Sequence, residues 1–270
     1  MPLTSRIRLD DLLVKQGYYP DRETAVRAIF AGEVRSECQD KLKPGSLVRA
    51  DSVYRVNSAS RYVSRGGDKL AAAIAAWPVV VAGATCIDIG ASSGGFTDCL
   101  LQHQAACVLA VDVGYGQFDW RLRQNSRVKV LERTNIRRLQ PPAGICAFDL
   151  AVADLSFTRT SSLLAHLQNF LTPDGQIIVL VKPQFELTEA TAGGLDGKAS
   201  GFDGVVRDAA QHILILENFM QAALACGLVP HGLMASPVKG PRGNSEFLFW
   251  ASRSGSPVTI DIVGVVKSVH

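Results

Sequence analysis

Two kinds of residue in this sequence are placed for chemistry: glycines after an apolar strand, and charged side chains where strands end. The run Cys86-Ile87-Asp88-Ile89-Gly90-Ala91-Ser92-Ser93-Gly94-Gly95-Phe96-Thr97 leaves an apolar strand through three glycines and two serines, then opens a helix. Glycine lets backbone approach a ligand closely, and a helix N-terminus offers unpaired N–H groups. One strand later, Leu109-Ala110-Val111-Asp112 puts a carboxylate 22 positions after Gly90, where doubly wound sheets hold a ribose diol. The spacing fits neither G-x-G-x-x-G nor G-x-x-x-x-G-K-[ST], which counts against NAD and ATP. Loop and acid together point to an adenosine-containing cofactor. Two more ionisable residues follow apolar runs: Asp154 after 150–153, and Lys182 after 177–181. A lone lysine leaving a buried strand usually reaches for solvent. Opposite charges on neighbouring strand ends favour a site instead.

The elements that must position these residues alternate along most of the chain. Short apolar strands are predicted at 85–89, 108–111, 129–131, 150–153 and 177–181, with a closing antiparallel pair near 232–236 and 246–251. Helices at 69–76, 95–104, 159–170 and 205–226 fill the gaps. The pattern predicts a mostly parallel sheet covered on both faces, with its last strand returning antiparallel at the sheet edge. Ahead of it stand two short helical patterns. One has apolar positions 9, 12 and 13. The other is capped by Asp21 and turns Ala25, Val26, Ile29 and Phe30 to one side. Extended pieces at 33–35, 47–48 and 54–56 and a turn at Lys43-Pro44-Gly45 complete this front segment. The polar run Asn57-Ser58-Ala59-Ser60 marks the boundary.

The chain has 270 residues, 47% apolar, 20% charged and 7% aromatic, which excludes a disordered or fibrous protein. Residues 1–69 carry 13 Lys/Arg against 9 Asp/Glu, while the remainder is near neutral with 15 against 16. A basic front end on a neutral body suits a polyanionic partner. The six cysteines are never closer than eight positions, so no C-x-x-C pair or zinc ribbon exists, and reduced, buried thiols are expected. No secretory h-region is seen, and the longest apolar run, 70–84, is too short to span a bilayer. Both favour a cytoplasmic protein over a pore-forming one. The glycine-rich stretch 191–201 reads equally as a loop near the substrate or as a plain linker. Arg133, Arg137 and Arg138 form a second basic cluster, or a solvated face.

The motifs DIGASSGGFTDCLLQ, VDVGYGQ, DLSF, LVKPQFE and GNSEF, following SRGGDKL, closely resemble the TlyA family of ribosomal-RNA ribose methyltransferases, historically called haemolysins. Residues 1–58 resemble an S-four-type RNA-binding module and 64–252 an FtsJ-type methyltransferase. The implied architecture is α/β. It combines a Rossmann-like methyltransferase with a seven-stranded doubly wound sheet (66–254), a small N-terminal α+β RNA-binding domain (1–58) and a linker (59–65); the tail 255–270 carries no assignment. The resemblance implies S-adenosylmethionine as methyl donor, with Asp88, Gly90, Ala91, Ser92, Gly94, Gly95, Phe96, Asp112, Val113, Asn135 and Asp154 around it. It implies a catalytic tetrad of Lys69, Asp154, Lys182 and Glu246, without a metal. Ribosomal RNA or ribosomal subunits are the implied partners, with cytidine ribose as the acceptor and no membrane. Arg6, Lys15, Arg22, Arg27, Lys41, Lys43, Arg65 and Arg133 are the candidate RNA contacts. The front module departs from its family at Arg35-Ser36-Glu37-Cys38-Gln39, which stands where a Val-Asn-Gly turn is common. Lys182 would either take the hydroxyl proton or stabilise the developing alkoxide. The competing reading is an RNA-binding assembly factor with an idle methyltransferase fold.

Overall fold

A computed structural model of the chain describes residues 6–19, 21–30, 34–36, 42–56, 61–141, 147–187, 203–256 and 258–270. They form two compact units, Met1–Arg61 and Tyr62–His270. In the first, β1 (Arg6–Arg8) runs into α1 (Leu9–Lys15), followed by α2 (Arg22–Phe30), β2 (Val34–Arg35), β3 (Leu47–Arg49) and β4 (Arg55–Val56). β1 pairs antiparallel with β3, and β2 with β4. Leu9, Leu12 and Leu13 of α1 meet Ala25, Ala28 and Ile29 of α2 in a small core with Tyr19, Val48 and Tyr54. That spacing is one helical stripe on each helix. Asp21 caps α2 as expected, its Oδ1 accepting the Thr24 N–H at 2.8 Å. Phe30 departs from expectation at 77% exposed; Ala28 takes its place, because 25, 28 and 29 define the buried stripe and 30 turns away from it.

The second unit contains α3 (Gly66–Ala76), β5 (Thr85–Ile89), α4 (Gly95–Gln102), β6 (Cys107–Val111), α5 (Trp120–Arg123), β7 (Val128–Leu131), β8 (Phe148–Ala153), α6 (Leu164–Leu167), β9 (Leu171–Val181), α7 (Pro183–Glu186), α8 (Ala209–Ala225), β10 (Val229–Ala235), β11 (Phe247–Ser252) and α9 (Ile262–Lys267). Seven strands form one sheet in the order β10-β11-β9-β8-β5-β6-β7. All lie parallel except β11, antiparallel to both neighbours. Strand residues alternate between two cores. Ile87, Ile89, Ala151, Val179 and Val181 face α6, α8 and α9, while Cys86, Leu150, Val152, Ile178 and Leu180 face α3 and α4.

Three expectations are corrected, and the unassigned tail acquires a structure. The last strand is not at the sheet edge but between β9 and β10. Phe247, Leu248, Phe249 and Ala251 are fully buried there, a run that needs cover on both faces. The helix expected over 159–170 is broken into short 3₁₀ turns around α6. The linker ends earlier than 65. Tyr62 is buried in the core, and the Val63 N–H donates to Asp98 Oδ2 at 2.8 Å. The tail folds back as α9, placing Ile262 and Val266 in the core beside α8. Of the thiols, Cys86 and Cys99 are buried, Cys226 is half-buried and Cys107 is exposed; Cys38 and Cys146 lie outside the described residues. Among the described residues, no helix is long and apolar enough to cross a membrane.

Candidate active site

Strand direction assembles the site. β5, β6, β8 and β9 are parallel, so Gly90, Asp112, Asp154 and Lys182, each one residue past its strand, come to one sheet edge. β11 runs the other way, with Phe247 opposite Val181, so the residue just before it, Glu246, arrives at that same edge. Lys69, in the first turn of α3, completes the group. Lys69 Nζ donates to Glu246 Oε2 at 2.6 Å, with the two side chains 10% and 0% exposed. Lys182 Nζ lies 2.6 Å from Asp154 Oδ1 and donates to Ser156 Oγ at 2.8 Å. Burial this deep is tolerable only because each charge has its partner.

Two cavities meet at these residues. One, of about 350 Å³, is lined by all four tetrad members together with Arg65 and Lys239. The other, of about 490 Å³, is lined by Asp112, Val113, Thr134, Asn135 and the apolar Ile136, Leu155 and Leu163. Gly90, Ser92 and Asp154 belong to both. Gly90 has φ +83°, and a Cβ there would stand 2.6 Å from the Asp154 carbonyl oxygen. Only glycine lets these two strand ends sit so close.

The glycine loop is held from within. The Gly90 and Ala91 N–H groups donate to the Val111 carbonyl at 2.8 and 3.2 Å, and Gly94 N–H donates to Ala91 at 2.7 Å. Ser92, at φ 49°, donates its N–H to Asp112 Oδ2 at 2.8 Å, while Asp112 Oδ1 accepts from Gly114 at 2.6 Å. Amides expected to face a ligand are therefore engaged by the fold, and Asp112 shapes the loop as well as the cavity. Behind the β8 end, buried Glu186 accepts the Thr160 and Ser161 N–H groups at 2.6 and 3.2 Å and the Ser161 hydroxyl at 2.6 Å. Burial pushes the Glu186 carboxyl above its ordinary range against those hydrogen bonds.

A model of FtsJ-like methyltransferases matches residues 62–253. The chain belongs to the FtsJ-like methyltransferase family. It is 39% identical to the 16S/23S rRNA (cytidine-2′-O)-methyltransferase TlyA of Mycobacterium tuberculosis, over 99% of this chain and 97% of that protein. It is 43% identical to YqxC of Bacillus subtilis, named as an rRNA methyltransferase, over 97% and 94%. A solved structure of a haemolysin-named protein from Streptococcus thermophilus superposes with a TM-score of 0.73 at 36% identity, covering 99% and 97%.

In this FtsJ-like methyltransferase the residues expected around the cofactor fall into three groups. Gly90, Ser92 and Asp154 line both cavities; Ala91, Gly95 and Phe96 line the tetrad cavity; Asp112, Val113 and Asn135 line the larger one. Asp88 and Gly94 line neither. Asp88 is fully buried beneath the loop, where Thr97 Oγ1 donates to its Oδ2 at 2.6 Å, and burial raises its carboxyl to about 7. Gly94, at φ 94°, is packed under Leu122.

Among the described RNA candidates, only Arg65 lines either of these two cavities. Arg133 lies over the Tyr115 ring, 4.1 Å from its centroid. Arg6, Lys15 and Lys43 are exposed, Arg22 is bound to Asp10 at 3.2 Å, and Arg27 approaches Glu23 at 4.0 Å. Lys41 and the stretch 191–201 lie outside the described residues. Arg137 of the second basic cluster is tied down, donating to Thr158 Oγ1 and Ser162 Oγ at 3.0 and 3.1 Å. Residue spacing left out Ser156 and Lys239. Ser156 stands two positions past Asp154, and Lys239 follows the end of a predicted strand, so position offered a signal for each.

Proposed function

We propose that this chain transfers a methyl group from S-adenosylmethionine to the 2′-hydroxyl of a cytidine ribose in ribosomal RNA, in the cytoplasm. The observation that carries this reading is the pair of buried ion pairs, Lys69–Glu246 and Lys182–Asp154, on a cavity that shares three residues with the larger one. The names and near-complete coverage of the relatives support the substrate. The larger cavity suits the donor. Asp112 has a spare lone pair on each oxygen for a ribose diol, while Ile136, Leu155 and Leu163 offer apolar walls to a flat base. When bound, S-adenosylmethionine supplies a methyl group already activated by its sulfonium, so the enzyme's task is alignment and handling of one proton.

The chain's own residues are arranged for that task. Ser156 accepts one of the three donors that a Lys182 ammonium carries and Asp154 pairs with its charge at 2.6 Å, so donor capacity remains for the acceptor oxygen. In that role Lys182 stabilises the alkoxide as it develops. As a neutral amine it would take the proton instead. Lys69, held by Glu246, adds positive potential to the same cavity. The first unit is the RNA-docking module, presenting exposed Arg6, Lys15 and Lys43 for phosphate contact.

The test is transfer of labelled methyl to unmodified ribosomal subunits, comparing wild type with Lys182→Ala and digesting the product to nucleosides. A 2′-O-methylcytidine that vanishes in the variant is the expected result. A methylated base would overturn the tetrad's role, and absence of transfer with cofactor bound would favour the idle RNA-binding reading.

A further inference from the structure

The tetrad cavity carries four cations and two carboxylates: Arg65, Lys69, Lys182 and Lys239 against Asp154 and Glu246. Each carboxylate pairs at 2.6 Å with a tetrad lysine. Among the described residues, neither Arg65 nor Lys239 has a carboxylate within ion-pair distance. The cavity therefore holds two uncompensated positive charges beside the reacting lysines.

Lys239 stands on a built turn. The Ser236 N–H donates to the Glu246 carbonyl at 2.8 Å, Gly240 N–H to Asn244 at 2.8 Å, and Gly243 N–H to Gly240 at 3.1 Å. Asn244 ties this turn to the segment before α8, donating to the Gly204 carbonyl at 2.9 Å and accepting from Val206 at 3.2 Å. Arg242 donates to the Asp203 carbonyl at 2.9 Å. Of the turn's two basic residues, one anchors it and the other lines the cavity. A Cβ at Gly240 would collide with the Glu246 carboxylate, so the turn also presses directly on the tetrad.

From this we infer that Lys239 and Arg65 clamp the two phosphodiesters flanking the acceptor ribose. An internal nucleotide of RNA carries one monoanionic phosphate on each side of its sugar, which matches the two uncompensated charges in number and sign. The clamp deepens the proposed function and rests on it. It makes the substrate a polynucleotide, because a free nucleoside has nothing for either cation to hold.

The experiment measures methyl transfer to unmodified ribosomal subunits across a salt series, using the full chain. Variants are Lys239→Ala, Arg65→Ala and Lys239→Arg, with Lys267→Ala on α9 removing the same charge from outside both cavities. Expected for each alanine variant is a KM for RNA about tenfold higher with kcat within about twofold, the pattern of lost uniform binding. The salt slope should shrink by about 0.7 for each lost contact to single-stranded phosphate. S-adenosylmethionine affinity stays at the wild-type value, Lys239→Arg recovers most of the loss, and Lys267→Ala behaves as wild type. Unchanged KM and slope in Lys239→Ala would overturn the clamp. So would a matching loss of cofactor affinity, since the cation would then serve the donor. Lys239→Gln removes the charge while keeping much of the side chain, and it decides the question if the alanine variant does not fold. Wild type that transfers no methyl fails the proposed function; wild type that transfers, matched by its variants, fails the clamp alone.

Discussion

In the first unit the ion pairs join near neighbours in sequence: Arg49 with Asp51 at 2.7 Å, Arg8 with Asp10 at 2.7 Å, and Arg22 with Asp10 at 3.2 Å. The second unit's site pairs join distant ones; Lys69 and Glu246 are 177 positions apart. The paired cations of the first unit are 40–63% exposed, whereas those of the tetrad are 10% exposed. A wet pair such as Arg49–Asp51 contributes little to stability, while Asp10 is a buried acid covered by two part-exposed arginines. Long-range pairs such as Lys69–Glu246 exist only when the whole sheet has formed, and on the proposed function they align the reacting groups. On the proposed function, the comparison separates a surface for attraction from a site for alignment.

The sharpest way to break that contrast is Lys182→Ala, which should lower methyl transfer by about 10² to 10⁴ while leaving cofactor binding intact; near-normal transfer would show that the Lys182–Asp154 pair does not align the reaction. Glu246→Gln comes next. It leaves the Lys69 ammonium buried without a counter-ion, so urea denaturation should show a loss of roughly 3 kcal/mol alongside lost activity. A loss no larger than that of a surface variant would erase the difference between the units.

Acid and base sharpen it further. Asp88, fully buried, has its carboxyl raised to about 7, so it favours the fold while protonated. That contribution is present below about pH 4 and lost as pH rises to about 7, and Asp88→Asn should remove this pH dependence from the denaturation curve. Asp10 is the opposite case. Burial pushes its carboxyl up, but hydrogen bonds from Arg8, Arg22 and the Asp11 amide outweigh it and leave the carboxyl below its ordinary value. Its contribution is present above about pH 4 and lost as pH falls through its lower folded value, so amide exchange in α1 should accelerate in acid for wild type and not for Asp10→Asn. The smallest effect belongs to Arg49→Ala, whose exposed pair with Asp51 should be removable with no measurable change in melting temperature.

Much of this protein is legible in its residues, and the misses have physical causes. β5 was readable to the residue because Cys86, Ile87 and Ile89 form a short apolar stretch that ends on Gly90 with a helix pattern behind it. Asp154 and Lys182 were readable as charged residues at strand ends, whereas Lys69 and Glu246 entered only through the family resemblance. β1 was not, since three residues are too few for periodicity to register. Phe30 was misplaced because a single apolar residue at a helix end carries no directional signal of its own. The tail was unassigned because α9 has only six residues, and its apolar face acquires meaning only against α8.

What the sequence determined by itself was local: strand and helix periods, the glycine loop, the Asp21 cap, and which charged residues follow apolar strands. These are short-range preferences of backbone and side chain, present before any tertiary contact forms. Only the tertiary structure decided that β11 enters between β9 and β10, that Glu246 thereby meets Lys69, that Asp88 lies beneath the loop rather than in the cavity, and that Lys239 lines the tetrad cavity with no carboxylate partner among the described residues. Those outcomes depend on which apolar faces are covered on both sides and which charges find partners on burial, and both are properties of the assembled sheet.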